Sequence, residues 1–380
     1  MNSAQVAALT TAQVKSLTSE QLNSLSAENV GALETADIAS ITTPILSSFT
    51  QISNFNSQQI KALTNAQIRA LSVAQLQSLS ADQYASLTTT EISNFSATQV
   101  ANFTTAGIAS LSSAQLQAIP SSSIVSLDLS SLSTEQISAL TTKQVSALTA
   151  TKLNNLSAVS LSALNGSAIS AIPTTVLAAL TSDQISNLST AQISALSSLQ
   201  IQSLTTAQLN AMSADQIASV SASGVSALTT TQITGLTAAI DLLAGLSTTQ
   251  IPALSTANIA ILTGTQLNAL STTQINSLSA TQAKALTGSQ LTALTTENVG
   301  ALSTTAIANL STTAISTVSS TQLQNLTTAQ LQGLSSLAIR TLTTAQLNAL
   351  STTQTSSFTT NQIAALTTEQ VNKLPTANTS

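Results

Sequence analysis

Leu204-Thr205-Thr206-Ala207-Gln208-Leu209-Asn210-Ala211-Met212 is the stretch whose reading decides the fold. Thr205 and Gln208 have the Ser/Thr-x-x-Gln/Glu spacing of a capping box, in which the hydroxyl accepts from the N3 amide and the Gln side chain reaches back to the N-cap amide. Leu204 and Leu209 stand at N′ and N4, the two halves of a hydrophobic staple. With Thr205 as N-cap, Met212 is N7, and the next N-cap, Ser213, follows at once. Eight residues thus write a helix start twice over, and the following start comes before a helix of ordinary length could end.

Outward from this octad, the closing apolar residue marks the period. It runs Leu9, Leu17, Leu25, Leu33, Ile41, Phe49, then resumes six residues later at Phe55 and keeps step from Leu63 to Leu127. A five-residue unit, Asp128 to Leu132, leads into a third block from Leu140 to Leu236. A ten-residue unit, Thr237 to Leu246, precedes the last block, which ends at Leu374-Pro375. We read residues 1–380 as one octad-repeat array with register slips near residue 50, at 128–132 and at 237–246, closed by a tail over 375–380. A shortened unit has no residues to loop out, so the slips are expected to be bends or joints. The apolar Ile240 to Leu243 in the long unit is expected to be buried, since exposed it would be an association patch.

Apolar positions alternate in spacing between five and three, as in Leu204, Leu209, Met212. Both gaps are odd, so a straight strand would place successive apolar residues on opposite faces. One continuous helix fails as well, because at about 100° per residue eight residues overshoot two full turns by about 80°. Short helices broken at every Ser or Thr keep N4 and N7 on one face. Helices this short are marginal alone, so they must stack. The predicted fold is all-α: a solenoid of very short helices wound around a Leu/Ile/Ala core. The rival is a β-solenoid, favoured by abundant Thr, Ile and Val but offering no reason for Gln at N3. Pro120, Pro173 and Pro375 fall at N-cap places, which suit them. Pro252, Gly31 and Gly300 fall at N5, where they weaken a helix.

Composition excludes several classes of function. Charged residues are 6% of the chain and aromatics 2%, against roughly 25% charged in average soluble domains. The eight basic residues, Lys15, Lys61, Arg69, Lys143, Lys152, Lys284, Arg340 and Lys373, stand singly, which argues against nucleic acid. Despite a mean hydropathy of +0.32, no apolar run reaches the ~18 residues of a spanning helix. The first residues lack the basic and apolar regions of a cleavable signal peptide.

With no His and no Cys, the usual general base, thiol nucleophile and soft metal ligands are missing. We expect no enzyme, no catalytic, cofactor-binding or metal site, and no cofactor. Glu34 and Asp37 form the one close acidic pair, at N-cap and N3. Glu20, Glu28, Glu91, Glu135, Glu297 and Glu369 sit at N2 or N3, where a helix start favours them. Tyr84, Phe49, Phe55, Phe95, Phe103 and Phe358 take ordinary core slots. The surface signal is the hydroxyl pair opening successive octads, as in Thr141-Thr142, Thr205-Thr206, Thr229-Thr230, Ser303-Thr304 and Thr343-Thr344. The first of each pair caps a helix, and the second is free to join an array facing solvent.

The octads Leu9 to Leu17 and Leu342 to Leu350 resemble the Ser/Thr/Ala/Gln-rich repeats of long bacterial surface and exported proteins, often labelled adhesins or haem-utilisation proteins. Haem ligation finds no basis here, with Met1, Met212 and Tyr84 the only candidate ligands. The resemblance implies an extracellular structural role without a recognisable N-terminal signal. The expected function is a self-assembling filament, stalk or surface layer, whose partner is another copy or a neighbouring surface component. The alternative is an adhesin or an ice- or glycan-binding module using the Thr/Ser array.

Overall fold

The computed structural model describes residues 1–236 and 243–375, and every element among them is a helix. Two compact units are present, Met1–Leu188 and Ser189–Ser380, and the division falls within a run of regular octads. Each unit is a solenoid of very short α-helices, built on the same local rule.

In the octad that opens the sequence reading, the helix is Thr206–Asn210 and Thr205 is its N-cap, with an extended backbone at φ −74 and ψ 158. The Thr205 hydroxyl accepts from the Gln208 amide at 3.2 Å, and Gln208 Oε1 accepts from the Thr205 amide at 2.7 Å. The helix closes with a tight i to i−3 bond from the Met212 amide to the Leu209 carbonyl, 3.2 Å. Corners are made by two extended residues, N7 and the next N-cap, as at Leu204 (φ −63, ψ 140) and Thr205. No described residue has a positive φ. Helices that end on a left-handed residue usually need Gly there; these corners avoid it, which is why ten Gly suffice for 380 residues.

Apolar N4 and N7 side chains, such as Ile68 with Leu71 and Leu209 with Met212, fill the interior. Each helix packs against the helix three octads on: Ala81–Ser86 against Thr105–Ser110, Ser198–Ser203 against Ala222–Ala227, Ala280–Ala285 against Thr304–Asn309. Side-chain amides add bonds to residues 28 and 31 positions back and 25 positions ahead. One turn of the coil therefore takes about 28 residues, or three and a half octads. The half-integer matters, because it sets the N3 position of one helix over the C-terminal carbonyls of another in the preceding turn.

The slips leave this pairing intact. At the six-residue unit a 3-10 turn, Ile52–Asn54, replaces the α-helix, and Ile52 and Phe55 remain buried. Gln67 still bonds the N4 and N7 carbonyls of its partner octad, now 29 and 26 residues back. At the five-residue unit the 3-10 turn is Leu129–Ser131, Asp128 caps Ser130, and Leu129 and Leu132 are buried. Across it Gln136 reaches back 28 and 25 residues. A short unit thus keeps its two apolar anchors and a polar residue ahead of them, Gln51 donating to the Asn23 and Leu25 carbonyls or Asp128 capping Ser130, and shortens the turn by the residues it lacks. At the long unit, Leu243 and Leu246 are buried, and Gln250 reaches Val220, 30 residues back; Ile240, Asp241 and Leu242 lie outside the described residues. Pro252 takes effect at N5: Ile251–Ala253 is a 3-10 turn. Pro120 and Pro173 are N-caps, of Ser121–Ile124 and Thr174–Ala178.

Candidate functional site

Among the described residues the buried polar side chains fall almost entirely at N3. An α-helix leaves its last four carbonyls without intrahelical donors, so a helix of five or six residues is nearly all end. Burying such ends requires donors from elsewhere. They come from N3. Gln99 Oε1 accepts from the Ser96 amide at 2.9 Å, while Nε2 donates to the Ile68 carbonyl at 2.9 Å and the Leu71 carbonyl at 3.0 Å. Gln67, Gln144, Gln232, Gln282, Gln322 and Gln362 repeat this arrangement on their own partners. All are buried. One side chain starts its own helix and ties it to the preceding turn of the coil.

A second set of amides at N5 points the other way. Asn268 donates to the Ala293 carbonyl at 2.8 Å, Asn276 to Ala301 at 3.1 Å and Gln324 to Ala349 at 2.7 Å, each 25 residues ahead. Departures from Gln at N3 keep the logic. Asn258 donates to the Leu228 carbonyl at 2.9 Å, although its shorter side chain leaves Oδ1 buried without a partner. Lys152 sends its ammonium to the Leu127 carbonyl at 2.7 Å.

Gly107 is the most informative departure. A Cβ there would come within 2.5 Å of the Tyr84 ring. Tyr84 is fully buried, and its hydroxyl donates to the Leu76 carbonyl at 2.9 Å. Leu76 lies 31 residues before Gly107, where a Gln at 107 would have donated. The phenol has taken over the rung, and the glycine makes room for the ring. Burial pushes the Tyr84 hydroxyl up to about 12. Tyr84 and Phe95 each pack edge-on against Phe103, with centroids 5.1 Å apart, and Phe49 stacks on Phe55 at 5.4 Å. These rings lie where the sequence places them, in the core.

The acidic residues serve helix starts. Glu20, Glu28, Glu91, Glu135, Glu297 and Glu369 all occupy first turns. Asp37 is buried at N3 and accepts from the Glu34 amide at 3.3 Å; burial first, then the neighbouring Glu34 charge, raises its carboxyl above the usual range. Asp128 does the opposite. It accepts from the Ser130 hydroxyl at 2.7 Å and the Ser130 amide at 3.1 Å, and the Ser130 hydroxyl above all holds its carboxyl low, against the opposing effect of burial. Asp128, Lys152 and Asn155 line a surface cleft of about 330 Å³ beside the five-residue unit. Among the described residues no three His, Cys, Asp or Glu side chains lie together as a metal would need.

The hydroxyl pairs divide their work. Thr141, Thr205, Thr229, Ser303 and Thr343 each accept from the N3 amide of their own helix. Of the second members, Thr142, Thr230 and Thr304 are exposed, whereas Thr206 and Thr344 are half-buried. The reason is that N1 of one helix packs against N6 of the helix three octads on: the Thr206 methyl lies against Gly235, and Gly264 against Ala293. The Ser48 hydroxyl meets that of Ser19 at 2.8 Å in the same relation. The N1 hydroxyls therefore line a seam between turns, and part of the expected array is consumed by stacking.

The sequence carried a signal for the N3 ladder that the capping box alone does not explain. Glu serves a capping box as well as Gln and gains from the helix dipole, yet Glu91 is the one Glu at N3 of a described octad. A position that prefers the amide needs a donor as well as an acceptor.

The ALTTAQ repeat model matches the chain over residues 52–89, 169–206, 243–272, 325–360 and 347–376. Its six letters are those of the corner Leu, the N-cap, N1, N2 and the N3 rung, preceded by N6, as in Asn325 to Gln330 but for the first residue. No curated protein matches the chain. The molecule is a repeat protein, and its repeat is the capped, amide-tied octad. No helix among the described residues is long and apolar enough to cross a membrane.

Proposed function

We propose that this chain is a non-enzymatic structural element of the cell exterior, acting as filament, stalk or surface-layer material through self-association. The observation that carries the reading is the ladder itself. The buried polar side chains, Gln67, Gln99, Gln232 and their equivalents, are spent on main-chain carbonyls of the neighbouring turn. A chain that devotes its side-chain chemistry to joining turns, and carries 21 charged residues in 380, suits a mechanical role better than a catalytic one. Its cohesion rests on packing and neutral hydrogen bonds, which salt does not screen, an advantage outside the cell. Electron microscopy of the purified chain, with light scattering across concentration and salt, tests this: filaments or a concentration-dependent rise in mass is expected. A monomer at every concentration removes self-assembly and leaves a stalk segment.

A second reading, adhesion to glycans, is favoured by the shallow hydroxyl-lined groove of about 490 Å³ formed by Thr328, Thr352, Thr353, Ser356 and Ser357. Glycan-array binding that falls on Thr353→Val would support it; an array without signal would remove it.

A further inference from the structure

Glu91 stands where the ladder requires a donor. It occupies N3 of its octad; its amide donates to the Thr88 hydroxyl at 3.2 Å, and Oε2 accepts from the Thr88 amide. The other carboxyl oxygen, Oε1, is buried and has no hydrogen-bond partner. The side chain is 3% exposed, so water does not satisfy it. On either side along the chain, Gln83 Nε2 donates to the Phe55 carbonyl at 2.7 Å and Gln99 Nε2 to the Leu71 carbonyl at 3.0 Å, each 28 residues back. The same register points Glu91 at the carbonyls of Leu63, 28 residues back, and Ile60, 31 residues back. An ionised carboxylate there opposes lone pairs to lone pairs in a dry seam, whereas a protonated one supplies the missing donor.

We propose that Glu91 is a proton-gated rung: in its acid form the carboxyl O–H donates to a carbonyl of the Ile60 to Leu63 turn and closes the seam, and ionisation opens it. The helix bearing Glu91, Thr89–Ser93, packs against Ser113–Ala118 and Asn65–Ala70. Ser113–Ala118 carries no titratable residue, and Asn65–Ala70 carries Arg69, whose guanidinium bonds the Asn94 side chain at 2.8 Å. Burial raises the Glu91 carboxyl above its usual range, outweighing the Thr88 amide and hydroxyl bonds and the charge of Lys61, on the helix before Leu63, all of which favour the carboxylate. The sign follows. A raised value in the folded state means that the stabilisation is full below the unfolded carboxyl value and is lost as pH rises through the folded one. The seam at Glu91 is therefore tightest in acid and weakens towards neutrality, whereas the Gln rungs do not change.

Hydrogen exchange on the full chain from about pH 4 to about pH 8, corrected for the intrinsic pH dependence of exchange, tests this against Glu91→Gln and the exposed-position control Glu135→Gln. In the parent, amides of residues 60–64 and 88–95 are expected to lose protection by up to about tenfold per pH unit over the window between the two carboxyl values. In Glu91→Gln the same amides stay flat with pH and are better protected at neutral pH, and Glu135→Gln follows the parent. Parallel profiles in the parent and Glu91→Gln, or weaker neutral protection in Glu91→Gln, overturn the proposal. An infrared band of a buried protonated carboxyl, present in the parent in acid and missing from Glu91→Gln, is the second expected result; its absence counts against the proton.

Discussion

Replacing Gln99 by Ala separates the two jobs of the N3 amide, provided the same change is made at Gln266. Both residues close capping boxes, with Oε1 accepting from Ser96 at 2.9 Å and from Thr263 at 2.8 Å. Gln266 is half-buried and, among the described residues, bonds only within its own octad, whereas Gln99 also donates to Ile68 and Leu71. Gln266→Ala removes two local bonds, from the Thr263 amide and hydroxyl, but near solvent water takes over both donors, so the loss is about 0.5–1 kcal/mol in all. Gln99→Ala also strands the Leu71 carbonyl and takes one of two partners from Ile68, which keeps the Leu71 amide at 3.3 Å; the Ser96 amide, on an exposed residue, passes to solvent. With about 0.5–1.5 kcal/mol per lost bond and about 1–3 for each buried group left unsatisfied, the expected loss is about 3–5 kcal/mol. Repeat arrays open locally rather than all at once, so the assay is native-state hydrogen exchange of the amides flanking each site. The expected acceleration is about 100-fold or more around residue 99 and under about tenfold around residue 266. Equal acceleration at the two sites would refute the second job and reduce N3 to a helix cap.

Three further outcomes follow from the same geometry. Gly107→Ala, driven into the Tyr84 ring, should lower stability by about 1–3 kcal/mol in urea unfolding, and the pair Tyr84→Leu with Gly107→Gln should recover most of it by restoring the ordinary rung. Ala306→Gln places a donor in reach of the Ile275 and Leu278 carbonyls by register and should raise stability by about 0.5–2 kcal/mol; a loss would mean that the Ala306 site is too tightly packed to take the side chain. In alkaline absorbance titration the single Tyr84 should ionise near 12 rather than 10. Because the folded value is the raised one, its stabilisation is complete below pH 10 and declines from there towards 12, so a Tyr84→Phe chain should lack that part of the alkaline loss.

The local fold was legible because the octad states it redundantly: Thr205, Gln208, Leu204 and Leu209 each specify the same helix start, and the structure places all four as read. Turn length was not legible. It depends on which octads meet across the coil, and the sequence repeats with period eight whether a turn holds three octads, three and a half or four. What fixes it is the reach of an N3 amide to carbonyls 28 and 31 residues back, a long-range match that no local pattern encodes. At the two short units the consequence of losing residues was not legible. Ile52 with Phe55 and Leu129 with Leu132 show that a unit shortened to a 3-10 turn around its apolar pair still holds register. The exchange of roles between Gly107 and Tyr84 was hidden because its two members are 23 positions apart. Each alone reads as an ordinary departure, a glycine at N3 and an aromatic in the core.

Because the chain contains no Cys, an engineered disulfide reports turn length without background. Gly264 at N1 and Ala293 at N6 lie across one seam, and a Cβ on Gly264 would press directly on that of Ala293, a contact that a small shift opens to disulfide spacing. Gly264→Cys paired with Ala293→Cys should oxidise nearly completely under mild conditions. Gly264→Cys paired instead with Ala285→Cys or with Ala301→Cys, the N6 positions one octad nearer and one octad farther, should stay reduced. Cross-linking of either of those pairs in preference to 264 with 293 would contradict a coil of three and a half octads, and with it the amide ladder built on that register.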